Sequence, residues 1–336
     1  MEDKNYPPYN LTDKMLNYVS EITEKIVRIN YMNLDKKPEL RKHNRINSIY
    51  SSLAIENNPL SLKQVEDIID GRIVVGKQKD IQEVKNAYKS YEEIENINPY
   101  SIEDLKKIHG IMTFLVQDDN GKFRNHGEAV YNGDKMIFMA PPENMVPILM
   151  ENLFEWMNKS KEIVHPLILS SVFHYEFVFI HPFSDGNGRM ARLWQTAILS
   201  KWNKVFEYMP IENIIKKHQQ EYYKVINDCD KSGNSSEFIE FMLRIIDETI
   251  NNLIKQSDEL KLNQQFRNSV EDLNLTEQNA LNYIYEKKLV GTNELAEYLG
   301  KTGRTARRVV AKLLKKNLIT WQGTDENDPN KKYKIK

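Results

Sequence analysis

A single cysteine, Cys229, stands in 336 residues, so no disulfide can close within the chain. Nowhere do apolar residues run to about 18, the length a spanning helix needs. The N-terminal "MEDKNYPPYNLTDKM" lacks the basic start and apolar stretch of a signal peptide, and a cytoplasmic location is expected. Seven histidines form no HExxH pair and the lone thiol has no partner, which argues against a zinc hydrolase. Surplus charge is missing too: a net of −1 gives no global pull toward nucleic acid or membrane. Internal repeats and low-complexity tracts are absent.

What is present is an ordinary globular composition, 40% hydrophobic and 28% charged, in a chain long enough for two domains. Charge is unevenly placed. From Leu273 to Lys336 there are 13 Lys plus Arg against 7 Asp plus Glu, a net of +6, which leaves −7 on the remainder. A basic C-terminal module on a mildly acidic body is expected.

Apolar residues recur at three- and four-residue spacing over most of the chain, predicting helices. They cover "LTDKMLNYVSEITEKIVRINYM" with Thr12 as cap, "RKHNRINSIYSSLAIENN" stopped by Asn57, Asn58 and Pro59, and "SLKQVEDIIDG" between Ser61 and Gly71. Others are "DIQEVKNAYKSYEEIENI" and "SIEDLKKIHGIMTFLV", the latter with a capping box at Ser101 and Asp104 or Glu103. The pattern breaks in "DDNGKFRNHGEAVYNGDKMIFMAPP", where Asn132-Gly133 suits the tight turn of a β-hairpin. Helices resume over "ENMVPILMENLFEWMNKS", "PLILSSVFHYEFVFI" and "GRMARLWQTAILSKW". "IIKKHQQEYYKVINDC" and the long "SSEFIEFMLRIIDETINNLIKQSDELKLNQQF" complete the body.

The chemistry is concentrated in "HPFSDGNGRMAR", residues 181–192. Pro182 forces the chain out of helix after His181, and Gly186-Asn187-Gly188 leads into the next one. A helix, a short glycine-containing loop and a helix N-terminus can turn backbone N–H groups and a partial positive charge onto an anion. Arg189 and Arg192 stand three apart, on one face of the first turn, and guanidinium groups suit phosphate oxygens. Asp185 can hold Mg²⁺ against phosphates, and His181 can accept a proton. Taken singly, a Gly-Asn-Gly is usually a turn, and a histidine at a helix end is more often a hydrogen-bonded structural residue.

The segment resembles the Fic-family signature HPFx(D/E)GNGRxxR at every specified position, with Ser184, Met190 and Ala191 at the free ones. Similarity runs from about Arg41 to Ile250. The resemblance implies transfer of AMP from ATP to a Ser, Thr or Tyr hydroxyl of a target protein, with Mg²⁺ as cofactor. It makes His181 the base, seats Phe183 in the core and puts Asp185 on Mg²⁺. Gly186, Asn187 and Gly188 become the anion hole, and Arg189 and Arg192 the partners of the β- and γ-phosphates. Tyr222, in "EYYKVI", is assigned to the nucleotide as well. The hairpin occupies the place of the family's flap, where a target segment can add as a strand and Ile137 or Phe138 can pin the modified side chain. "SSLAIENN" resembles the family's inhibitory motif (S/T)xxxE(G/N) as Ser52, Glu56 and Asn57. It implies a carboxylate on Arg192 in the place of the γ-phosphate.

The tail, "TNELAEYLG" followed by "TGRTARRVVAKLLKKNLI" and "WQGTDENDPNKKYKIK", looks like a winged helix-turn-helix. Arg304, Arg307 and Arg308 on its recognition helix, Thr302 to Lys316, would meet DNA; a dimerisation or protein-binding wing is the alternative. The expected fold is mainly α: a Fic-type helical bundle with a β-hairpin flap and a small C-terminal winged-helix domain. The expected divisions are an N-terminal helical region with the inhibitory helix (1–95), the catalytic core (96–250), a helical linker (251–272) and the winged domain (273–336). Three alternatives stay open: a DNA-binding regulator whose body senses nucleotide, an enzyme that removes AMP with the same site, and assembly as a homodimer.

Overall fold

The computed structural model describes residues 7–31, 38–132, 135–271, 273–325, 328 and 330–336. The chain is mainly helical and divides into two compact units, 1–254 and 255–336.

In the first unit, α1 (Asp13–Tyr31), α2 (Pro38–Ile55), α3 (Leu62–Ile69), α4 (Gln78–Glu92) and α5 (Ile102–Met112) precede a hairpin of β1 (Ala129–Asn132) and β2 (Lys135–Met139). Helices α6 (Val146–Ser160), α7 (Pro166–Ile180), α8 (Asn187–Trp202), α9 (Ile211–Lys217) and α10 (Gln219–Ser232) follow, and α11 (Ser236–Glu271) starts in this unit. The starts obey local rules. Thr12 accepts the Met15 N–H, and Ser61 and Gln64 form a reciprocal capping box at α3. Pro166 sits at the first helical position of α7, with the His165 ring accepting the Leu167 N–H.

Helix α7 is apolar almost all round and accordingly central, with twelve of its residues buried. It packs along α8, which is buried on nearly every face from Asn187 to Ser200. One apolar cluster joins α1, α7, α9, α10 and α11 through residues such as Ile22, Val172, Ile215, Tyr222 and Phe238. A second joins α2 to α6 with the other side of α7 and α8 through Leu53, Val84, Leu105, Phe173 and Trp194. The loop linking α7 to α8, residues 181–186, is thus carried by the two most deeply buried helices.

Four local expectations need correction. At α5 the Ser101 hydroxyl accepts the Asp104 N–H, but the Asp104 carboxylate takes the Asn98 N–H instead of closing a box at Ser101. The same helix stops at Met112, not Val116, because Leu115 turns left-handed (φ 58°) and Phe114 O is drawn to the Asn86 amide. The hairpin pairs Asn132 with Lys135, so Asn132 belongs to the ladder, and residues 133 and 134 between them are outside the described set. "IIKKHQQEYYKVINDC" is two helices, broken at His218 (φ −106°, ψ 27°), whose ring is held by Glu248.

In the second unit, α12 (Leu275–Lys287), β3 (Val290–Gly291), α13 (Thr292–Tyr298), α14 (Gly303–Lys315), β4 (Ile319–Gln322) and β5 (Lys332–Ile335) enclose their own core of Leu281, Ile284, Leu295, Val309, Leu313 and Tyr333. The antiparallel sheet has the order β3-β5-β4. Helix α14 is two-faced: Ala306, Val309, Val310 and Leu313 face the core, and Arg304, Arg307 and Arg308 are exposed. Lys312 on α14 donates to both carboxylate oxygens of Glu277 on α12, at 3.0 and 2.8 Å.

Candidate functional site

The turn at 181–186 is fixed by its own side chains. Asn187 brackets it, its Oδ1 accepting the Phe183 N–H at 3.0 Å and its Nδ2 donating to Phe183 O at 2.7 Å. Phe183 is fully buried and lies flat on His109, ring centroids 3.6 Å apart. His181 ends α7 in the left-handed region (φ 51°) and Gly186 starts α8 there (φ 82°), a conformation cheap only for glycine. No side chain caps α8. Its first N–H groups lack partners within the helix by construction, so this end is open to an anion.

The His181 imidazole is half-buried. Its Nδ1 faces Val178 O at 3.3 Å, and since a carbonyl only accepts, Nδ1 carries the proton and Nε2 keeps its lone pair. Burial holds the ring's pKa below the ordinary histidine value, so it is neutral near pH 7.

Arg189 and Arg192 are both buried against this turn. Arg189 Nη2 donates to Asp185 Oδ1 at 3.0 Å, and its Nη1 lies 3.6 Å from Glu83 Oε1. Among the described residues Arg189 Nε and Nη1 have no hydrogen-bond partner, nor has Arg192 Nη1. Buried guanidinium donors left open at an uncapped helix start are a receptor for phosphate oxygens. Asp185, whose side chain is 33% exposed, accepts from the Gly186 N–H at 2.6 Å and from Gln117 at 3.1 Å. Burial works against its charge, but Arg189, Gln117 and the Gly186 N–H together hold its pKa below the usual carboxylate value.

Three other bonds of Arg192 go to α2 and the turn after it. Its Nε donates to Ser52 Oγ at 3.0 Å and its Nη2 to Ser52 O at 3.0 Å and Glu56 Oε1 at 2.8 Å. The same carboxylate lies on the glycine bend: a Cβ on Gly188 would stand 2.2 Å from Glu56 Oε1. Asn57, left-handed at φ 63°, turns the chain out of α2, and Asn58 donates to Glu83 Oε2 at 2.8 Å. Helix α2 is itself anchored: Glu212 on α9 accepts from Ser48 at 2.7 Å and from Tyr91 on α4 at 2.6 Å. Ile55 O accepts from Gln219 and Tyr223 on α10 at 3.1 and 3.2 Å.

The structure therefore brings His181, Asp185, Gly186, Asn187, Gly188, Arg189, Arg192, Ser52 and Glu56 together. Tyr222, expected at the nucleotide, is instead a core residue at 2% exposure, its hydroxyl bonded to His174 at 2.9 Å. Its neighbour Tyr223 is 46% exposed and reaches the end of α2. Ile137 and Phe138 fall on β2, and their side chains are outside the described residues. Arg304, Arg307 and Arg308 belong to the second unit. Sequence reasoning passed over His109 and Arg124. His109 donates from Nε2 to Asp185 O at 2.9 Å while its Nδ1 accepts the Gly121 N–H. Burial lowers its pKa to about 4. Its only advance signal is a histidine at the end of an amphipathic helix.

Fold and site together define a helical protein whose central turn sets an uncapped helix start and two buried arginines beside a histidine. The Fic/DOC family model matches residues 99–199. A crystal structure of a Fic family protein from Desulfovibrio desulfuricans G20 is 34% identical, covers 98% of both chains and superposes with a TM-score of 0.71. The chain belongs to the Fic family. It is also similar to a protein of Aedes aegypti named protein adenylyltransferase Fic, 30% identical over 64% of this chain and 43% of that protein. One of the same name from Nematostella vectensis is 28% identical over 71% of this chain and 56% of that protein. The chain thus spans about half the length of these curated relatives.

Proposed function

We propose that the protein is an autoinhibited adenylyltransferase that moves AMP from ATP to a hydroxyl side chain of a target protein. The observation that carries this reading is the set of buried, unpartnered guanidinium N–H groups on Arg189 and Arg192, beside the uncapped start of α8 and the free Nε2 of His181. Attack at the α-phosphorus builds charge on its oxygens and on the leaving pyrophosphate. Fixed donors that need no reorganisation stabilise that charge. His181 accepts the proton of the attacking hydroxyl. The chemistry of the site suits Mg²⁺: Asp185 offers one hard, part-exposed carboxylate, and Mg²⁺ binds through one or two carboxylates while keeping its waters. When bound there it would neutralise phosphate charge. The hairpin would take a target segment as an added strand, with Ile137 or Phe138 over the modified residue.

Glu56 is read as the brake. Its carboxylate already fills the anion position between Gly188 and Arg192, so a triphosphate seated there meets repulsion and a missing donor. The test is incubation of the wild type, Glu56→Gly, and Glu56→Gly with His181→Ala, with ATP labelled at the α-phosphate and Mg²⁺. Label should appear on protein with Glu56→Gly and vanish with the added His181→Ala. Label that survives His181→Ala, or is absent from every form, overturns the reading.

A second role is favoured by one observation. The three exposed arginines on α14, in a unit ordered helix-strand-helix-helix-strand-strand, suit a winged-helix contact to DNA. Binding of duplex DNA by residues 255–336 within the whole chain should fall steeply with salt; salt-independent binding, or none, leaves a protein-docking module.

A further inference from the structure

Arg124 lies between α5 and β1, is 3% exposed and has no carboxylate hydrogen-bond partner among the described residues. Every hydrogen bond of its guanidinium goes to a backbone carbonyl. Nε donates to His181 O at 2.7 Å, Nη1 to His126 O at 2.8 Å, and Nη2 to Pro141 O at 2.6 Å and Ile180 O at 3.3 Å. Its own N–H donates to Pro182 O at 2.9 Å. Three consecutive carbonyls, 180 to 182, are therefore held by one residue. The two that the guanidinium holds, Ile180 O at the last residue of α7 and His181 O at its cap, lie at the negative end of that helix, which a buried cation complements.

The grip has two ends. One is the backbone of His181, a non-glycine residue kept in the left-handed region, where an L side chain stays only if its surroundings enforce it. The other is Pro141, two residues past the end of β2, where Ala140 N–H also donates to Glu128 O ahead of β1. The planar fork of arginine can bridge the two; the single point charge of a lysine cannot.

We propose that Arg124 is a positioning residue that sets the His181 ring and couples it to the base of the hairpin, so that a segment docked on the hairpin is registered against the imidazole. The proposal rests on His181 as the base and on the hairpin as the docking site. Arg124 touches neither substrate nor reacting atoms, so the predicted signature is loss of turnover with nucleotide binding retained.

The test compares Arg124→Lys in the wild-type and Glu56→Gly proteins by three readouts. In the Glu56→Gly background, kcat for labelled AMP transfer should fall on the order of 100-fold, the loss expected of a misplaced catalytic group. The KM for ATP should stay within about twofold, because no bond of Arg124 reaches Arg189 or Arg192. Free guanidinium at millimolar concentration should restore part of the turnover to Arg124→Ala. Independently of activity, the His181 ring resonances and the exchange rates of the Met139 and Ala140 amides should change together. If Arg124→Lys proves unfolded by circular dichroism, Arg124→Gln, which keeps a planar donor group, carries the same measurements. Unchanged His181 resonances and hairpin exchange in a folded variant overturn the proposal, as does a rise in KM for ATP with kcat untouched. A silent Glu56→Gly protein whose ring and hairpin still respond to Arg124→Lys sinks the transferase reading and leaves the coupling standing.

Discussion

Arg189 and Arg192 sit one helical turn apart on α8, equally buried, yet their surroundings differ. Arg192 is claimed by the protein itself: Ser52 and Glu56 take three of its hydrogen bonds, leaving Nη1. Among the described residues Arg189 has a firm bond only to Asp185, with Glu83 at 3.6 Å and two N–H positions open. Each is backed by a buried neutral histidine, His174 on the Arg192 side and His109 on the Arg189 side. The contrast teaches that two like residues three apart in one motif can be given different surroundings. One arginine is engaged by an internal carboxylate, and the other keeps two N–H groups without a partner among the described residues.

The largest expected effect removes the backing. His109 and His174 have pKa values lowered to about 4 and about 3 from 6.5, mainly by burial. Below 6.5 the unfolded chain binds protons that the folded chain refuses. Their contribution is therefore complete above pH 6.5 and is lost as pH falls toward those values. Each histidine should take away about 1.4 kcal/mol per pH unit, roughly 3 kcal/mol by pH 4. Urea unfolding at pH 7 and 4.5 should show His109→Gln losing distinctly less stability on acidification than the wild type; equal losses would refute the assignment.

Next comes the pair itself. Glu56→Gly leaves a buried guanidinium without its counter-ion. Since the carboxylate is 36% exposed, the cost should be about 2 kcal/mol, below that of breaking a fully buried pair. ATP should bind on the order of 30-fold more tightly and restore the melting temperature. Calorimetric titration with ATP checks both, and an ATP affinity matching wild type erases the contrast between the two arginines.

Ser52→Ala takes from Arg192 Nε its acceptor at a cost of about 1 kcal/mol, so ATP affinity should rise only about fivefold. Glu83→Gln, acting across 3.6 Å without a hydrogen bond, should change it by about twofold, through Arg189 alone. A larger effect from Glu83→Gln than from Ser52→Ala would invert the comparison.

Much of this was legible in the sequence because the determinants are local. Pro166 starts α7 and Pro182 with Gly186 shapes the turn, so Pro166–Ile180 and the start of α8 within a residue followed from spacing and punctuation. The resemblance of "SSLAIENN" named Ser52 and Glu56, and the structure puts both on Arg192. What stayed hidden depends on contacts between distant segments. The break at His218 needs Glu248, 30 residues on. Arg124 is unremarkable in "GKFRNHG" until 57 residues of chain bring His181 O to its Nε. Tyr222 and Tyr223 are adjacent and alike, and only the packing of α10 decides which one is buried.

The carbonyl of Ile55 carries a further consequence. Two side chains from α10 tie it down one residue before Glu56, and the left-handed Asn57 begins one residue after. The backbone under the carboxylate is thus held on both sides, and the side-chain torsions of Glu56, 36% exposed, are what is left to carry the carboxylate off Arg192. Moving that backbone as well would require the bonds of Gln219 and Tyr223 to Ile55 O to open along with those of Arg192 to Ser52.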